Sequence, residues 1–198
     1  MRSTRSPAFG PYEAPSRRVV LLLGLLGGVA AAQLLPHPAG VSPVAAMALF
    51  AGACFHSRGA ALLVSLGGFA LAGLAIGLVS GDWERGFHAL APAVYGSWAL
   101  SVALGWWLRS RRSAAHIAAA SVAGSLLFFA ITNYAVWATY ETYPHTLAGL
   151  AACYLAGLPL LARGLVGDLA YAGALFGALA WVEQRAPSLR VRAAAGSA

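Results

Sequence analysis

The sequence contains no lysine, and only 10% of its 198 residues are charged. Its formal net charge of +7 therefore comes from thirteen arginines set against six acidic residues. A soluble domain of this length carries far more charge, so a chain that is 60% hydrophobic is a membrane protein by composition. The arginines flank apolar runs, and membrane topology explains them better than nucleic-acid binding does.

Catalytic and metal-binding signatures are also missing. There is no GxSxG, no HExxH and no phosphate-binding glycine loop. The two cysteines, Cys54 and Cys153, lie in apolar runs without metal-ligand spacing and are interpreted as buried thiols. We therefore expect binding or transport without catalysis, cofactor or metal. The alternative is a membrane enzyme that uses Asp82, His88 or Asp168.

Long runs of Ala, Leu and Gly predict an all-α, polytopic membrane protein, because strands of a transmembrane barrel would alternate apolar and polar residues. We predict a six-helix transmembrane domain over residues 17–185, between a disordered cytoplasmic tail (1–16) and a basic cytoplasmic tail (186–198). The predicted crossings are Val19–Leu35, a short Val44–Phe55 that is either tilted or partly re-entrant, Ala60–Val79, Pro92–Leu108, a helix that starts at Ala114, and Leu165–Val182. An extra half-helix, Leu147–Leu158, is expected to end at Pro159.

The arginines set the predicted orientation. With six crossings and both termini in the cytoplasm, eleven arginines fall in cytoplasmic segments, and only Arg85 and Arg163 do not. A seventh crossing at Leu147–Leu158 would place the C-terminal arginines outside, against the positive-inside rule. The sequence therefore predicts a multi-pass protein of the bacterial inner membrane.

The segment 124–145 begins with apolar residues and continues with polar and aromatic ones. Asn133 and Trp137 are four residues apart and share a helix face, and Tyr143 follows in the next loop. An amide inside hydrocarbon is costly unless it has a partner or a ligand, so this face resembles the wall of a small-molecule pocket. The alternative is an interfacial aromatic belt.

Other polar residues are predicted at the same, outer side of the bundle, which favours a pocket open to the outside. Asp168 and Tyr171 are three apart and can point inward together. The alternative for Asp168 is a structural role, in which it complements the dipole at the start of a helix and pairs with Arg163. His37, between two prolines, is interpreted as a loop histidine, and the alternative is a metal ligand.

Small residues recur every fourth position in the first apolar run, at Gly24, Gly28 and Ala32. This pattern is typical of a membrane helix that packs closely on another helix. The alternative is a cleaved signal peptide that ends at the alanines before Gln33.

Four segments together resemble a widespread family of uncharacterised bacterial integral membrane proteins, which is itself similar to the substrate-binding S components of energy-coupling factor (ECF) vitamin transporters. They are LLPHPAGVSPVAAMALFAGACF, DWERGFHALAPAVYGSWAL, GSLLFFAITNYAVWATYETYPHTLAGLAACYLAGLPLL and GLVGDLAYAGALFG, between Leu34 and Phe176. The resemblance implies a six-helix bundle that holds a vitamin-like solute in its outer half. It also implies small residues that dock on a transmembrane coupling subunit, which is driven by cytoplasmic ATPases.

Carried onto this chain, the resemblance implies a docking face and a set of pocket residues. The docking residues are Gly24, Gly28 and Ala32, and those in or beside the pocket are His37, Asn133, Trp137, Tyr143 and Asp168. The expected function is solute capture for an ECF-type importer, with the solute, the coupling module and membrane lipid as partners and no nucleic acid. The rival hypothesis is a structural or assembly protein that has no small-molecule ligand.

Overall fold

The computed structural model describes residues 13–32, 41–86, 88–186 and 189. These residues form helices and no strand, which confirms the all-α prediction. The helices are α1 (Glu13–Ala32), α2 (Val44–Cys54), α3 (Arg58–Ser80), α4 (Trp83–Gly86), α5 (Ala91–Leu108), α6 (Ala114–Thr139) and α7 (Leu147–Arg185). His37 and nearly all of the two predicted tails lie outside the described residues.

Six membrane crossings were predicted, but only two of the described helices are long and apolar enough to span a membrane, α6 and α7. Helix α2 has 11 residues and so reaches about 16 Å, roughly half of the ~30 Å hydrocarbon thickness. Helix α5 has 18 residues, but three tryptophans, a tyrosine and two serines lower its hydropathy. The described helices thus include two candidate spans, and the remaining crossings are not shown.

The predicted break at Pro159 is wrong. The half-helix Leu147–Leu158 and the span Leu165–Val182 are parts of one 39-residue helix, α7, with Pro159 inside it. Proline removes one helical hydrogen bond and usually ends a helix, but neighbouring helices can hold the chain in place. Here the N-terminal half of α7 is fastened to α6, because the Tyr154 hydroxyl donates to the carbonyl oxygen of Ala130 at 2.6 Å.

The short helix α2 lies at the centre of the bundle, and eight of its eleven residues are buried. Phe50 packs edge-on against Phe176 of α7, with ring centroids 5.1 Å apart. On its other side α2 crosses α5 at two glycines, where a Cβ on Gly52 would collide with the carbonyl oxygen of Val102, and one on Gly105 with that of Leu49. Only glycine permits this backbone contact.

Arginine side chains donate hydrogen bonds to carbonyl oxygens at the C-terminal end of α2. Arg109 donates to the carbonyl oxygens of Gly52 (3.0 Å) and Phe55 (2.8 Å), and Arg112 donates to that of Ala53 (2.6 Å). The last carbonyls of a helix have no partner within the helix, so these guanidinium groups supply the missing donors.

We call this part of the molecule the arginine end, and define it by Arg18, Arg58, Arg109 and Arg112. Arg18 forms an ion pair with Glu183 at 2.6 Å, which joins the first turns of α1 to the last turns of α7. Burial and, after it, the charges of Arg58 and Arg112 lower the pKa of Arg109 from its ordinary value. Helices α1 and α3 begin here and α2, α5 and α7 end here, so the helices alternate in direction.

Candidate functional site

A cavity of about 370 Å³ opens beside the first turn of α2, away from the arginine end. Helices α2, α5, α6 and α7 line it, mainly with apolar side chains that include Trp98, Phe128 and Phe129. Its polar members are Ser42, Ser125, Thr132, Asn133 and Asp168. A mostly apolar cavity of this size with a few polar groups is typical of a small-molecule site. We call it the Asp168 cavity.

Asp168 is buried, with 7% of its surface exposed. The Ser125 hydroxyl, on the facing helix α6, donates to Asp168 Oδ2 at 2.6 Å. The ion pair found within the described residues is Arg18–Glu183, so Asp168 has a neutral partner and not a cation. A buried carboxylate without a cation is costly to keep ionised, and such residues in membrane proteins commonly mark functional sites.

The structure excludes the alternative that Asp168 complements the dipole at a helix start. The residue lies 21 positions after Leu147 within continuous helix, so it cannot complement a helix start. Arg163 is exposed and does not form the predicted ion pair.

Asn133 lies on the wall of the same cavity, and its participation in binding stays a prediction. Its side-chain NH₂ donates to the carbonyl oxygen of Phe129 in its own helix at 2.9 Å. Its side-chain oxygen lies against α7, where a Cβ added to Gly157 would come within 2.5 Å of it. Gly157 therefore leaves room for the amide, whose NH₂ group has a second N–H besides the one donated to Phe129.

Trp137 and Tyr143 do not line the Asp168 cavity. The Trp137 indole N–H donates to the carbonyl oxygen of Pro144 at 2.9 Å, and its ring packs on His145 with centroids 5.4 Å apart. Trp137 thus fastens the loop between α6 and α7, and Tyr143 is half-buried in that loop. Their participation in binding stays a prediction.

The other predicted site residues are spread over the bundle. Tyr171 is half-buried against the apolar core and does not line the cavity, and its role in binding also stays a prediction. Gly24 and Gly28 are exposed on α1, and no atom of the described residues lies within 4 Å of a Cβ built on either one. The side chain of Ala32 and all of His37 lie outside what the structure describes.

Sequence reasoning missed Ser125, and it placed Trp98 in the outer half of the bundle without naming it as a pocket residue. Ser125 was detectable only as a polar residue within an apolar run, and its pairing with Asp168 across 43 residues has no periodic signal. Trp98 stacks on Phe69 with ring centroids 3.8 Å apart. It lines both the Asp168 cavity and a second cavity of about 670 Å³ between α1, α2, α3 and α5.

Residues 13–189 match the profile of a protein family. The chain belongs to DUF6580, a family of unknown function. No curated protein and no solved structure matches it. Membership of the family therefore brings no ligand or activity with it, and no named relative supports the resemblance to ECF S components.

Proposed function

We propose that this protein is a multi-pass protein of the bacterial inner membrane that captures a small solute in the Asp168 cavity. Two helices that could cross a membrane support the membrane placement. So does the arginine end, because arginine-rich ends of membrane bundles face the cytoplasm. In this orientation both termini are cytoplasmic and the Asp168 cavity lies in the outer half.

The buried Asp168 carboxylate on the cavity wall carries the proposal. Its hydrogen bond from Ser125 satisfies only part of its four acceptor positions. A ligand with a cationic or N–H group would fill the rest, and the free N–H of Asn133 would hold an acceptor on the same ligand. Trp98 and Phe128 would pack against its apolar part. The expected solute is small, with at least one hydrogen-bond donor.

Delivery of the solute to the cytoplasm would follow the ECF scheme. Gly24 and Gly28 leave one face of α1 open, and small residues let another membrane helix approach closely. We propose this face as the docking site for a transmembrane coupling subunit powered by ATPases. The resemblance described above supports this step.

The second candidate function is a structural or assembly role without a ligand. The bond from Trp137 to Pro144 favours it, because it makes this tryptophan a loop anchor. The open glycine face of α1 would then serve stable helix packing.

Mass spectrometry of small molecules extracted from the detergent-purified protein separates the two functions. We expect a compound that is retained by the native protein and absent from Asp168→Asn, since Asn keeps the shape and the bond from Ser125 but loses the charge. Gly173→Ala, on the same helix and with no described atom within 4 Å of its Cβ, is the control and should retain the compound. A monodisperse native protein that carries no compound would favour the structural role. A compound that Asp168→Asn retains as well as the native protein does would place binding away from Asp168 and contradict the proposal.

A further inference from the structure

A second apolar surface lies on the outside of the bundle, between α5 and α6. It is a groove of about 540 Å³, separate from the Asp168 cavity. It is lined by Leu100, Ala103, Leu104, Trp107, Ala119, Ala120, Ala123 and Leu127. Leu100 and Trp107 keep 42% and 44% of their surfaces exposed, so this groove is open along its length.

The groove ends in basic groups near the arginine end. The Arg111 guanidinium lies 5.2 Å from the centre of the Trp107 ring, and the His116 ring lies 5.4 Å from it on the other helix. Both side chains are exposed. The sequence has no acidic residue between Glu84 and Glu141, so neither α5 nor α6 carries a charge that opposes an anion here.

Ser113 sets the direction of the histidine. Its hydroxyl oxygen accepts from the His116 backbone N–H at 3.3 Å as the cap of α6, and lies 2.6 Å from His116 Nδ1. With the hydroxyl proton donated to Nδ1, the ring proton is on Nε2, which can donate to an acceptor outside the protein. The free N–H groups at the start of α6 add to the attraction for an anion.

The groove extends along both helices from the basic end toward the middle of a bilayer leaflet. From Trp107 to Leu100 its lining follows α5 for about 10 Å, and from Ala119 to Leu127 it follows α6 for about 12 Å. Half of the hydrocarbon thickness is about 15 Å. An acyl chain in the groove would thus start at the basic end and finish near the middle of the membrane.

We propose that this groove binds one acyl chain of an anionic phospholipid from the cytoplasmic leaflet, with the lipid phosphate held by Arg111 and His116. Basic pockets at the cytoplasmic ends of membrane helices recognise anionic headgroups in this way. The proposal goes beyond solute capture and rests only on the membrane placement of the bundle. It holds whether or not the Asp168 cavity has a ligand.

Native mass spectrometry tests the lipid site. The detergent-purified protein is incubated with phosphatidylglycerol or with phosphatidylcholine of the same acyl chains. We expect at least about fivefold more retention of phosphatidylglycerol, which is the effect of one cationic contact at a membrane surface. Arg111→Gln combined with His116→Gln should remove this preference. Equal retention of the two lipids by the native protein would overturn the proposal.

Two further variants separate a built site from diffuse attraction. Arg17→Gln removes an exposed arginine at the same end and should leave the preference unchanged. Ala123→Phe fills the groove and should lower the retention of both lipids. If Arg17→Gln weakened phosphatidylglycerol binding as much as the double variant did, or if Ala123→Phe changed nothing, the groove would not be the site. Circular dichroism confirms that each variant keeps its helices.

Discussion

The two ends of the central helix α2 are built differently. At its C-terminal end, arginines from beyond α5 meet its last carbonyl oxygens at 2.6 to 3.0 Å, and the helices are tied together. At its N-terminal end the bundle opens into two cavities, one of which contains the buried Asp168. Arg18, Arg109 and Arg112 at one end each donate to an oxygen of the protein, whereas within the described residues the Asp168 carboxylate at the other end has only a serine hydroxyl as its partner.

Because of this difference, we expect the arginine end to contribute mainly to the stability of the fold and the Asp168 cavity to contribute mainly to ligand binding. Removing a side chain at the arginine end exposes or orphans backbone groups in the core, so it should lower the free energy of unfolding. Changing the Asp168 cavity removes no comparable support and should lower ligand retention alone. Variants at the two ends of α2 test these two expectations separately.

The largest loss of stability is expected from Gly52→Ala. The new methyl group would collide with the backbone of α5 at Val102, and rigid backbone cannot move aside as a flexible side chain can. We expect a loss of about 3 kcal/mol in the free energy of unfolding, measured by denaturant titration in detergent. Gly67→Ala is the control, because its Cβ would meet nothing within 4 Å, and it should be neutral or slightly stabilising. Equal effects of the two variants would show that α2 and α5 are not in close contact.

Much of the helical order was predictable because the signals for it are local. The bounds predicted for α2, Val44–Phe55, differ by one residue from Val44–Cys54, since a proline precedes the run and a histidine and serine follow it. Pro159 misled the prediction, because whether a proline ends a helix depends on the helix packed beside it. The contact of Tyr154 with α6 is tertiary and leaves no mark in the local sequence.

A smaller loss is expected from Arg109→Ala. The variant leaves the carbonyl oxygens of Gly52 and Phe55 without their donors. A bond to a charged group contributes about 1.5–3 kcal/mol, but Arg109 is only half-buried, so water can replace part of the two bonds. We expect a loss of about 2 kcal/mol in the free energy of unfolding, with any solute bound by the native protein still retained. Arg17→Ala, an exposed arginine on α1, should change stability by less than about 0.5 kcal/mol. A variant of Arg109 that lost its solute but kept its stability would reverse the comparison.

The smallest effect on the fold is expected from Gly157→Ala. Its methyl group would push the Asn133 side-chain oxygen into the Asp168 cavity, because the two would otherwise be 2.5 Å apart. We expect about tenfold weaker solute retention, which corresponds to the loss of one good hydrogen bond. Gly173→Ala lies on the same helix with no atom within 4 Å of its Cβ and should bind as the native protein does. Retention unchanged by Gly157→Ala would place the ligand away from Asn133.

The sequence predicted the polar residues of the candidate site that are costly to bury in an apolar helix. It did not predict the residues that contact them. Asn133 and Asp168 stood out because an amide and a carboxylate are rare in apolar helices, and both line one cavity. Trp137 shares a helix face with Asn133 but lies beyond the cavity, since a residue one turn further along the helix meets the loop and not α7. Helical spacing gives the face of a residue, and only the packed structure gives its depth.

A high-resolution structure of the native protein, purified in mild detergent without added ligand and reconstituted in lipid nanodiscs, would test the central claim most directly. Solute capture at the open end of α2 predicts density for a small molecule in the cavity, within hydrogen-bond distance of Asp168 and Asn133. An Asp168 cavity that holds only water, while a copurified compound lies elsewhere in the bundle, would contradict it.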